Sequence, residues 1–479
     1  MATIYSFSDK RQLEMFINLV SETILQNNLS LFLGAGSSMQ YNAMNWNELI
    51  NRVYSGCKQW GNTERAQYAE LSGIDVKSEI SKEISMVEVD ADKECTYLNY
   101  LLNFDYKSLW TTNYDCVIEE VLRKKGKNFI SVYQYSDFQK LSFPGGYFLF
   151  KINGSYISPD TIVITHEDFI EYRKTHEAYL ILLKRELLCN SFLFLGCSFD
   201  DDILRMCIKD ILNCIDNSRE NYSTNHYAII VENNKRKIDF ISKDLATHYN
   251  INCLKINNTQ IAYLAAYTIS LKVKYSSIFI SGAKMFKRYS PEENIGKKLC
   301  QDLVNAFMQL TDFPFKFISG MGMSIGHFIS GTVKQNCKNK NLNRYLLMEP
   351  FPFTSKAANE KHREDMISKA GIFIFIYGDI ENNEEDITKN GMWKEYMIAK
   401  KDRNNIIIPL PCGKESMSNV IFQEEKNDKS SFSSTNLEFL ESFNYTSENE
   451  KFFEQLVNKI VLITRKNLDY ALAEISDIK

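Results

Sequence analysis

The chain has 479 residues, of which 44% are hydrophobic and 24% are charged, and its formal net charge is -4. This length predicts two or three domains, and the slight negative charge argues against a general nucleic-acid binder. The sequence has neither a run of about eighteen apolar residues nor a signal-peptide pattern, so we expect a soluble cytoplasmic protein with no membrane partner. Eleven cysteines occur without a Cys-x-x-Cys pair and no histidine has metal-ligand spacing to a cysteine, so we expect no structural zinc and no metal.

The first prominent feature is an apolar strand that runs into a glycine turn. An amphipathic helix over residues 11–29 leads into the strand Leu31–Leu33, and a later helix carries Trp46. The turn comprises Gly34, Ala35, Gly36 and Ser37. Glycine lets backbone amides approach a pyrophosphate closely, and a following helix presents free N–H groups. A third glycine is absent, so a plain strand-to-helix turn is the alternative.

Three later strands also end in small or polar residues, after a mainly helical stretch over residues 48–100 that could cover a nucleotide. Two further strands, Tyr227–Val231 and Asn252–Ile256, complete the predicted sheet. The three strand ends read Thr-Thr-Asn-Tyr-Asp at 111–115, Asn-Gly-Ser at 153–155 and Gly-Cys-Ser-Phe at 196–199. Because parallel strands gather their carboxyl ends at one edge, the pattern predicts an α/β, Rossmann-like domain with its ligand at that edge.

Together these four turns resemble the sirtuin superfamily, specifically its bacterial sirtuin-like branch, over roughly the first 270 residues. The resemblance implies that Asn113 positions a water or the nicotinamide ribose, while Asp115 and Ser198 help to hold the nucleotide. The nucleotide-binding residues that it implies are Gly34, Ala35, Gly36, Ser37, Thr112, Asp115, Gly196 and Ser198. For Asn113 the alternative role is to cap the helix that begins near Val117.

The third turn departs from the family pattern, which reads Lys-Ile-His-Gly with the histidine as general base. This chain has Asn153 at that position. Because an amide cannot accept a proton near neutral pH, base catalysis worth about 10²–10⁴-fold is expected to be missing. The chain is then an inactivated variant, engineered or natural. His166 is not expected to replace the base, because we place it on the far side of a predicted strand as a surface or loop residue.

A second strand–helix pattern begins after residue 272 with the strand at Ser277 and continues through a glycine loop at residues 319–326. Over residues 275–479 these motifs resemble the SLOG family, which binds nucleotides and nucleotide-derived signals. The signal-binding residues that it implies are Ser281, Gly282, Lys284, Gly320, Met321, Gly322, Gly326, Arg363, Gly391 and Glu395. Lys284 and Arg363 would bind phosphates and Glu395 ribose hydroxyls, although a solvated helix face is the alternative for Arg363 and Glu395. Residues 381–386 and 429–435 are interpreted as linkers.

A sirtuin-like domain over residues 1–272 followed by a SLOG domain over residues 275–479 resembles the effectors of the bacterial Thoeris antiphage system. The resemblance implies an NAD nucleosidase activated by a cyclic ADP-ribose isomer, which a TIR-domain partner produces, and assembly into tetramers or larger homo-oligomers. Two alternatives stay open. One is an NAD-dependent protein deacylase, which the missing zinc ribbon argues against, and the other is a catalytically silent nucleotide sensor, which Asn153 favours.

Overall fold

The computed structural model describes residues 2–91, 93–142, 147–199, 202–214, 225–337, 340–352, 355–379, 387–428, 434–444 and 449–477. The chain divides into two compact units, residues 1–269 with 472–479, and residues 270–471. The boundary expected at residues 272–275 lies inside the continuous helix Thr259–Tyr275. A helix carries no break in composition, so the sequence places this boundary only approximately.

The first unit contains an eight-stranded sheet in which every strand pairing is parallel. Its strands are β1 (Ile4–Ser6), β2 (Leu29–Leu33), β3 (Leu109–Thr111), β4 (Phe129–Val132), β5 (Tyr147–Lys151), β6 (Ser191–Leu195), β7 (His226–Val231) and β8 (Ile251–Ile256). The strand order is β1-β8-β7-β6-β2-β3-β5-β4. Strand β2 therefore lies between β6 and β3, where the chain reverses its direction of winding and where such sheets bind ligands.

Helices cover this sheet and form an insertion between β2 and β3. The first unit has α1 (Lys10–Leu25), α2 (Ala35–Ser38), α3 (Trp46–Val53), α4 (Asn62–Leu71), α5 (Val76–Ser85), α6 (Tyr97–Leu101), α7 (Val117–Lys124), α8 (His166–Thr175), α9 (Glu177–Cys189), α10 (Asp202–Cys214), α11 (Lys235–His248) and α12 (Thr259–Tyr275). Helices α3 to α6 confirm the predicted helical stretch. Helices α3 to α5 pack around a hydrophobic cluster that includes Ile50, Ala69 and Ile80, and Tyr114, Ile162 and Ile164 from outside the insertion complete it.

The second unit contains a five-stranded sheet that is also entirely parallel. Its strands are β9 (Ser277–Ser281), β10 (Lys316–Ser319), β11 (Leu346–Met348), β12 (Ile372–Ile376) and β13 (Ile406–Leu410), in the order β11-β10-β9-β12-β13. Its helices are α13 (Pro291–Met308), α14 (Met323–Asn336), α15 (Leu342–Tyr345), α16 (Lys356–Ser368), α17 (Gly391–Ala399), α18 (Met417–Asp428), α19 (Ser434–Glu441) and α20 (Glu450–Asp477). The prediction of two Rossmann-like α/β domains is confirmed.

Buried strands explain why both sheets form. All five residues of β2, β6, β9, β12 and β13 are buried, which is typical of parallel strands covered on both faces. Within the described part of the chain, no helix combines the length and apolar character needed to cross a bilayer.

Candidate functional site

The carboxyl ends of four strands in the first unit meet at one edge of the sheet. Leu33 pairs with Thr111 on one side and with Leu195 on the other, and Thr111 pairs with Lys151. This register places the turns that follow β2, β3, β5 and β6 next to one another. The sequence prediction that these turns share one edge is therefore confirmed.

The turns after β2 and β6 touch backbone to backbone. The Gly34 N–H donates to Leu195 O over 2.9 Å, and the Gly36 N–H donates to Gly196 O over 3.0 Å. A Cβ atom on Gly34 would lie 2.5 Å from Gly196 O, and Gly196 itself has a φ of +66°. Side chains are therefore excluded at both positions. Ser37 is buried behind the turn, and its hydroxyl donates to Gly34 O over 2.7 Å.

A cavity of about 1400 Å³ opens at this edge. Its walls include the turns and parts of helices α3, α4 and α8. Of the residues that the sirtuin resemblance implies, the cavity is lined by Gly34, Ala35, Gly36, Thr112, Asn113, Asp115, Asn153, Gly196 and Ser198. Ser37 contributes to the turn from behind this surface.

Asn113 is buried, and its side-chain amide is oriented by two acceptors. Its Nδ2 donates to Gly34 O over 3.1 Å and to Ser38 Oγ over 2.9 Å. Its Oδ1 forms no hydrogen bond with any described residue, although the residue lines the cavity. With both amide hydrogens used, this side chain offers a bound ligand one acceptor, which suits a water molecule or a ribose hydroxyl.

Asp115, rather than Asn113, accepts a hydrogen bond from the first backbone N–H of helix α7. Its Oδ1 accepts from Val117 N over 3.0 Å and from Ser38 Oγ over 3.0 Å. The alternative role of Asn113 as a cap for this helix is therefore wrong. Burial raises the pKa of the Asp115 carboxyl, while the nearby Lys151 ammonium opposes that shift.

Lys151 joins the turn after β3 to strand β5. Its buried ammonium donates to Glu119 Oε1 over 2.9 Å and to the backbone carbonyls of Tyr114 and Asp115. The next turn along β5 carries Asn153, so Lys151 ties the Asn113 turn to the Asn153 turn. No role for Lys151 was predicted from the sequence.

Asn153 lies at the end of β5, buried and lining the cavity. Its backbone carbonyl accepts from Val163 N over 3.0 Å, but its side-chain Oδ1 has no partner among the described residues. The indole Nε1 of Trp46, another residue of the cavity wall, is also buried without a partner among them. Buried polar atoms are normally hydrogen-bonded, so these two atoms indicate where a ligand would bind.

His166 is the first residue of helix α8, where its side chain is exposed and lines the same cavity. The prediction that it lies on the far side of a strand is wrong, because the segment after β5 turns back over the carboxyl edge instead of extending the sheet. Arg173, on the same helix, also lines the cavity. Its Nε and Nη2 both donate to the thioether of Met206, a weak acceptor.

In the second unit, Glu395 accepts hydrogen bonds from two predicted signal-binding residues. Its Oε2 accepts from Ser281 Oγ over 2.5 Å, and its Oε1 accepts from Arg363 Nε over 3.2 Å. The side chains of Arg363 and Glu395 are only 13% and 11% exposed, so the alternative of a solvated helix face is wrong. Burial raises the pKa of Glu395, and the hydrogen bond from Ser281 and the charge of Arg363 oppose that shift.

The glycine loop of the second unit also packs backbone to backbone. A Cβ atom on Gly322 would lie 2.6 Å from Gly282 O, and one on Gly326 would lie 2.7 Å from the Cα atom of Met321, which has a φ of +57°. A Cβ atom on Gly391 would lie 3.1 Å from the guanidinium of Arg363.

The remaining two predicted residues of this group lie near aromatic rings. Gly320 packs near the ring of Phe351, which the guanidinium carbon of Arg363 faces at 4.8 Å. Lys284 lies 3.9 Å from the Asp379 carboxylate and 5.5 Å from the ring centre of Tyr377. All ten predicted signal-binding residues thus belong to the second unit, around the ends of β9 and β10 and helices α16 and α17.

Two sequence predictions can be compared with only part of the structure. They are the two linkers and the absence of a metal site. Residues 381–386 and 429–433 lie outside the described residues, and the linker prediction is wrong for Ser434 and Thr435, which begin helix α19. Among the residues that are described, no group of three or more His, Cys, Asp or Glu side chains is arranged to hold a metal ion.

The fold and these two edges define a protein in which a SIR2-like domain precedes a SLOG domain. A model of the SIR2-like domain matches residues 107–254, and a model of the Sir2- and TIR-associating SLOG family matches residues 265–467. The chain is similar over most of its length to NAD(+) hydrolase ThsA of Enterococcus faecium, with 27% identity over 93% of this chain and 98% of that protein.

Two further relatives carry the same name. NAD(+) hydrolase ThsA of Bacillus cereus strain MSX-D12 is 23% identical over 83% of this chain and 86% of its own length. The Acinetobacter baumannii protein is 26% identical over 81% of this chain and 85% of its own length. The comparisons therefore agree with the SIR2-like domain, the SLOG domain and the order of the two that the resemblance in the sequence predicted, and over most of its length the chain is similar to the ThsA proteins.

Proposed function

We propose that the chain binds NAD in the cavity of the first unit and represents an NAD hydrolase of bacterial antiphage defence. The observation that carries this proposal is Asn113, whose amide nitrogen is held by Gly34 and Ser38 while its oxygen is left for a ligand beside Asn153. The similarity to proteins named NAD(+) hydrolase supports NAD as the substrate.

The chemistry assigns different tasks to the two asparagines. Nicotinamide leaves the ribose through an oxocarbenium-like transition state, and one water must attack the same carbon. Asn113 Oδ1 accepts a hydrogen bond from that water or from a ribose hydroxyl and so fixes its position. Asn153 cannot take up the proton that the water loses, so we expect this chain to cleave NAD slowly even when substrate is bound.

The second unit is the regulatory part of the proposal. We expect a cyclic ADP-ribose isomer to bind at the edge formed by Ser281, Arg363 and Glu395, where a buried guanidinium suits phosphate and a buried carboxylate suits ribose hydroxyls. In this proposal a TIR-domain partner supplies the isomer, and the chain acts as a homo-oligomer, a tetramer or larger, of the Thoeris system.

A catalytically silent sensor is the second candidate, because Asn153 removes the proton acceptor that the sirtuin resemblance places there. Incubating the full chain with NAD, with and without cyclic ADP-ribose isomers, separates the candidates by chromatography. Nicotinamide with free ADP-ribose supports the hydrolase, and saturable NAD binding without product supports the sensor. If acetyl-ADP-ribose forms when an acetylated peptide is present, the chain is a deacylase, and the absence of NAD binding contradicts all three.

A further inference from the structure

A buried arginine in the helical insertion has no negative partner among the residues that the structure describes. Arg65, on helix α4, is only 1% exposed, and its guanidinium donates to five oxygens. The acceptors are Gly56 O at 3.2 Å, Asn47 Oδ1 at 3.3 Å, Asn62 Oδ1 at 3.4 Å, Asn51 Oδ1 at 2.7 Å and Tyr54 O at 2.7 Å. Every N–H of the guanidinium is therefore satisfied.

All five acceptors are neutral amide or backbone oxygens. Among the described residues no carboxylate forms an ion pair with Arg65, in contrast to the buried Lys151, which pairs with Glu119. Hydrogen bonds to neutral oxygens satisfy the donors but leave the full positive charge. Burying an unpaired charge is costly, so its presence calls for a compensating charge that none of the described residues supplies there.

The charge lies directly behind the wall of the NAD cavity. Asn47 and Asn62, which accept from Nη1, both line the cavity, whereas Asn51, which accepts from Nη2, does not. The described charged residues of the wall are Lys93, Arg173 and Asp115. Among these described wall residues, the two positive charges outnumber the one negative charge before Arg65 is added.

We propose that Arg65 is a specificity-determining residue that attracts an anionic ligand, the diphosphate of the substrate, through the neutral side chains of Asn47 and Asn62. This inference rests on the proposed function for the identity of the ligand. It goes further by assigning the helical insertion, and not only the glycine turn, a part in recognising the diphosphate. Through one layer of side chains, a unit charge at an effective dielectric of about 20 changes affinity by about tenfold.

The substitution Asn51→Asp tests the charge without removing the guanidinium. It replaces a neutral oxygen 2.7 Å from Nη2 by a carboxylate of the same shape, on the side away from the cavity. Asn103→Asp is a matched control, because Asn103 Oδ1 also lies 2.7 Å from a cation, Lys125 Nζ, and Asn103 is outside the cavity wall. The two variants carry the same net charge.

Isothermal titration with ADP-ribose and with NAD, at low and at physiological salt, gives the result. We expect Asn51→Asp to weaken ADP-ribose binding about tenfold, more strongly at low salt, and to weaken NAD less because NAD carries a positive pyridinium. The melting temperature of this variant should not fall, because the new carboxylate forms a buried ion pair with the guanidinium of Arg65. Equal affinities in Asn51→Asp and Asn103→Asp would overturn the proposal.

A second pair of variants tests the same charge by changing Arg65 itself. Arg65→Lys keeps the charge and Arg65→Gln removes it, while both lose most of the hydrogen bonds, so only Arg65→Gln should lose the salt-dependent part of ADP-ribose affinity. Equal losses in both variants would also contradict the proposal. If the unaltered chain binds neither ADP-ribose nor NAD, the proposed function fails. If the unaltered chain binds them and Asn51→Asp binds them equally well, only the proposal for Arg65 fails.

Discussion

The side-chain nitrogen of Asn113 donates a 2.9 Å hydrogen bond to the hydroxyl oxygen of Ser38. Ser38 in turn donates to Asp115, which caps helix α7, so the hydroxyl has one possible direction for its hydrogen. This chain of donors fixes which end of the Asn113 amide faces the cavity. It turns an asparagine, whose two ends are similar in shape, into an acceptor of defined position.

Removing that acceptor should abolish catalysis with little effect on folding. In a background that carries Asn153→His, we expect Asn113→Ala to lose NAD cleavage, because the attacking water or ribose hydroxyl is no longer positioned. Release of nicotinamide and the thermal melting curve provide the two measurements. Turnover close to that of the Asn153→His parent would show that Asn113 has no positioning role.

Restoring histidine at position 153 should switch on the enzyme. Imidazole, with an ordinary pKa near 6.5, accepts a proton at physiological pH, and position 153 lines the cavity with an unpartnered side-chain oxygen. With saturating cyclic ADP-ribose isomer, Asn153→His should cleave NAD about two orders of magnitude faster than the present chain. Asn153→Gln, which keeps an amide, is the control. Equal rates of NAD cleavage in the present chain and in both variants would show that residue 153 does not act as the base.

Removing either charge of the Arg363–Glu395 pair in the second unit should abolish the response to a cyclic ADP-ribose isomer. Glu395→Gln and Arg363→Ala each leave a buried partner without its opposite charge, so neither should show ligand-induced stabilisation by a cyclic ADP-ribose isomer. Glu360→Gln is matched to this test, because the Glu360–Lys394 pair joins the same two helices but is more exposed. We expect that control to respond normally and NAD binding to persist in all three variants. An unchanged shift in melting temperature in both test variants would rule out this site.

Acidification should destabilise the first unit through a buried histidine. Burial lowers the pKa of His226 to about 4, from an ordinary value of 6.5 in the unfolded chain. Between these values the unfolded state binds more protons, so the stability present above pH 6.5 is lost as the pH falls toward 4. His226→Gln should reduce this dependence of the melting temperature on pH, with the rest due to His176, whose pKa burial also lowers to about 4, whereas His248→Gln, at an exposed site, should not reduce it.

The central strands of both sheets are predictable from the sequence, whereas the two edge strands of the first sheet are not. Strands β6 and β12 are continuous apolar runs because both faces are covered, so their positions follow from the residues. Strands β1 and β4 are short and mostly half-buried at the two edges of the sheet, and their residues carry no comparable pattern.

In the candidate site, too, some features are predictable from the sequence and others are not. The turns at residues 34 and 196 are recognisable because a backbone contact demands glycine at each. The environment of Arg65 could not be predicted, because its side-chain acceptors are ordinary asparagines of two helices and its other acceptors are backbone carbonyls of the loop between them. The position of His166 likewise depends on how the chain folds back after β5.

The ammonium of Lys151 has a consequence for how substrate reaches the cavity. Because it binds carbonyls of the Asn113 turn while belonging to the strand that leads to Asn153, these two turns cannot separate without exposing a buried ion pair. We therefore expect the cavity to open on the opposite wall, where helices α3 to α5 pack against Tyr114, Ile162 and Ile164 through a hydrophobic cluster. Amide protons of these helices should therefore exchange with deuterium sooner than those of β3 and β5, and bound NAD should slow that exchange.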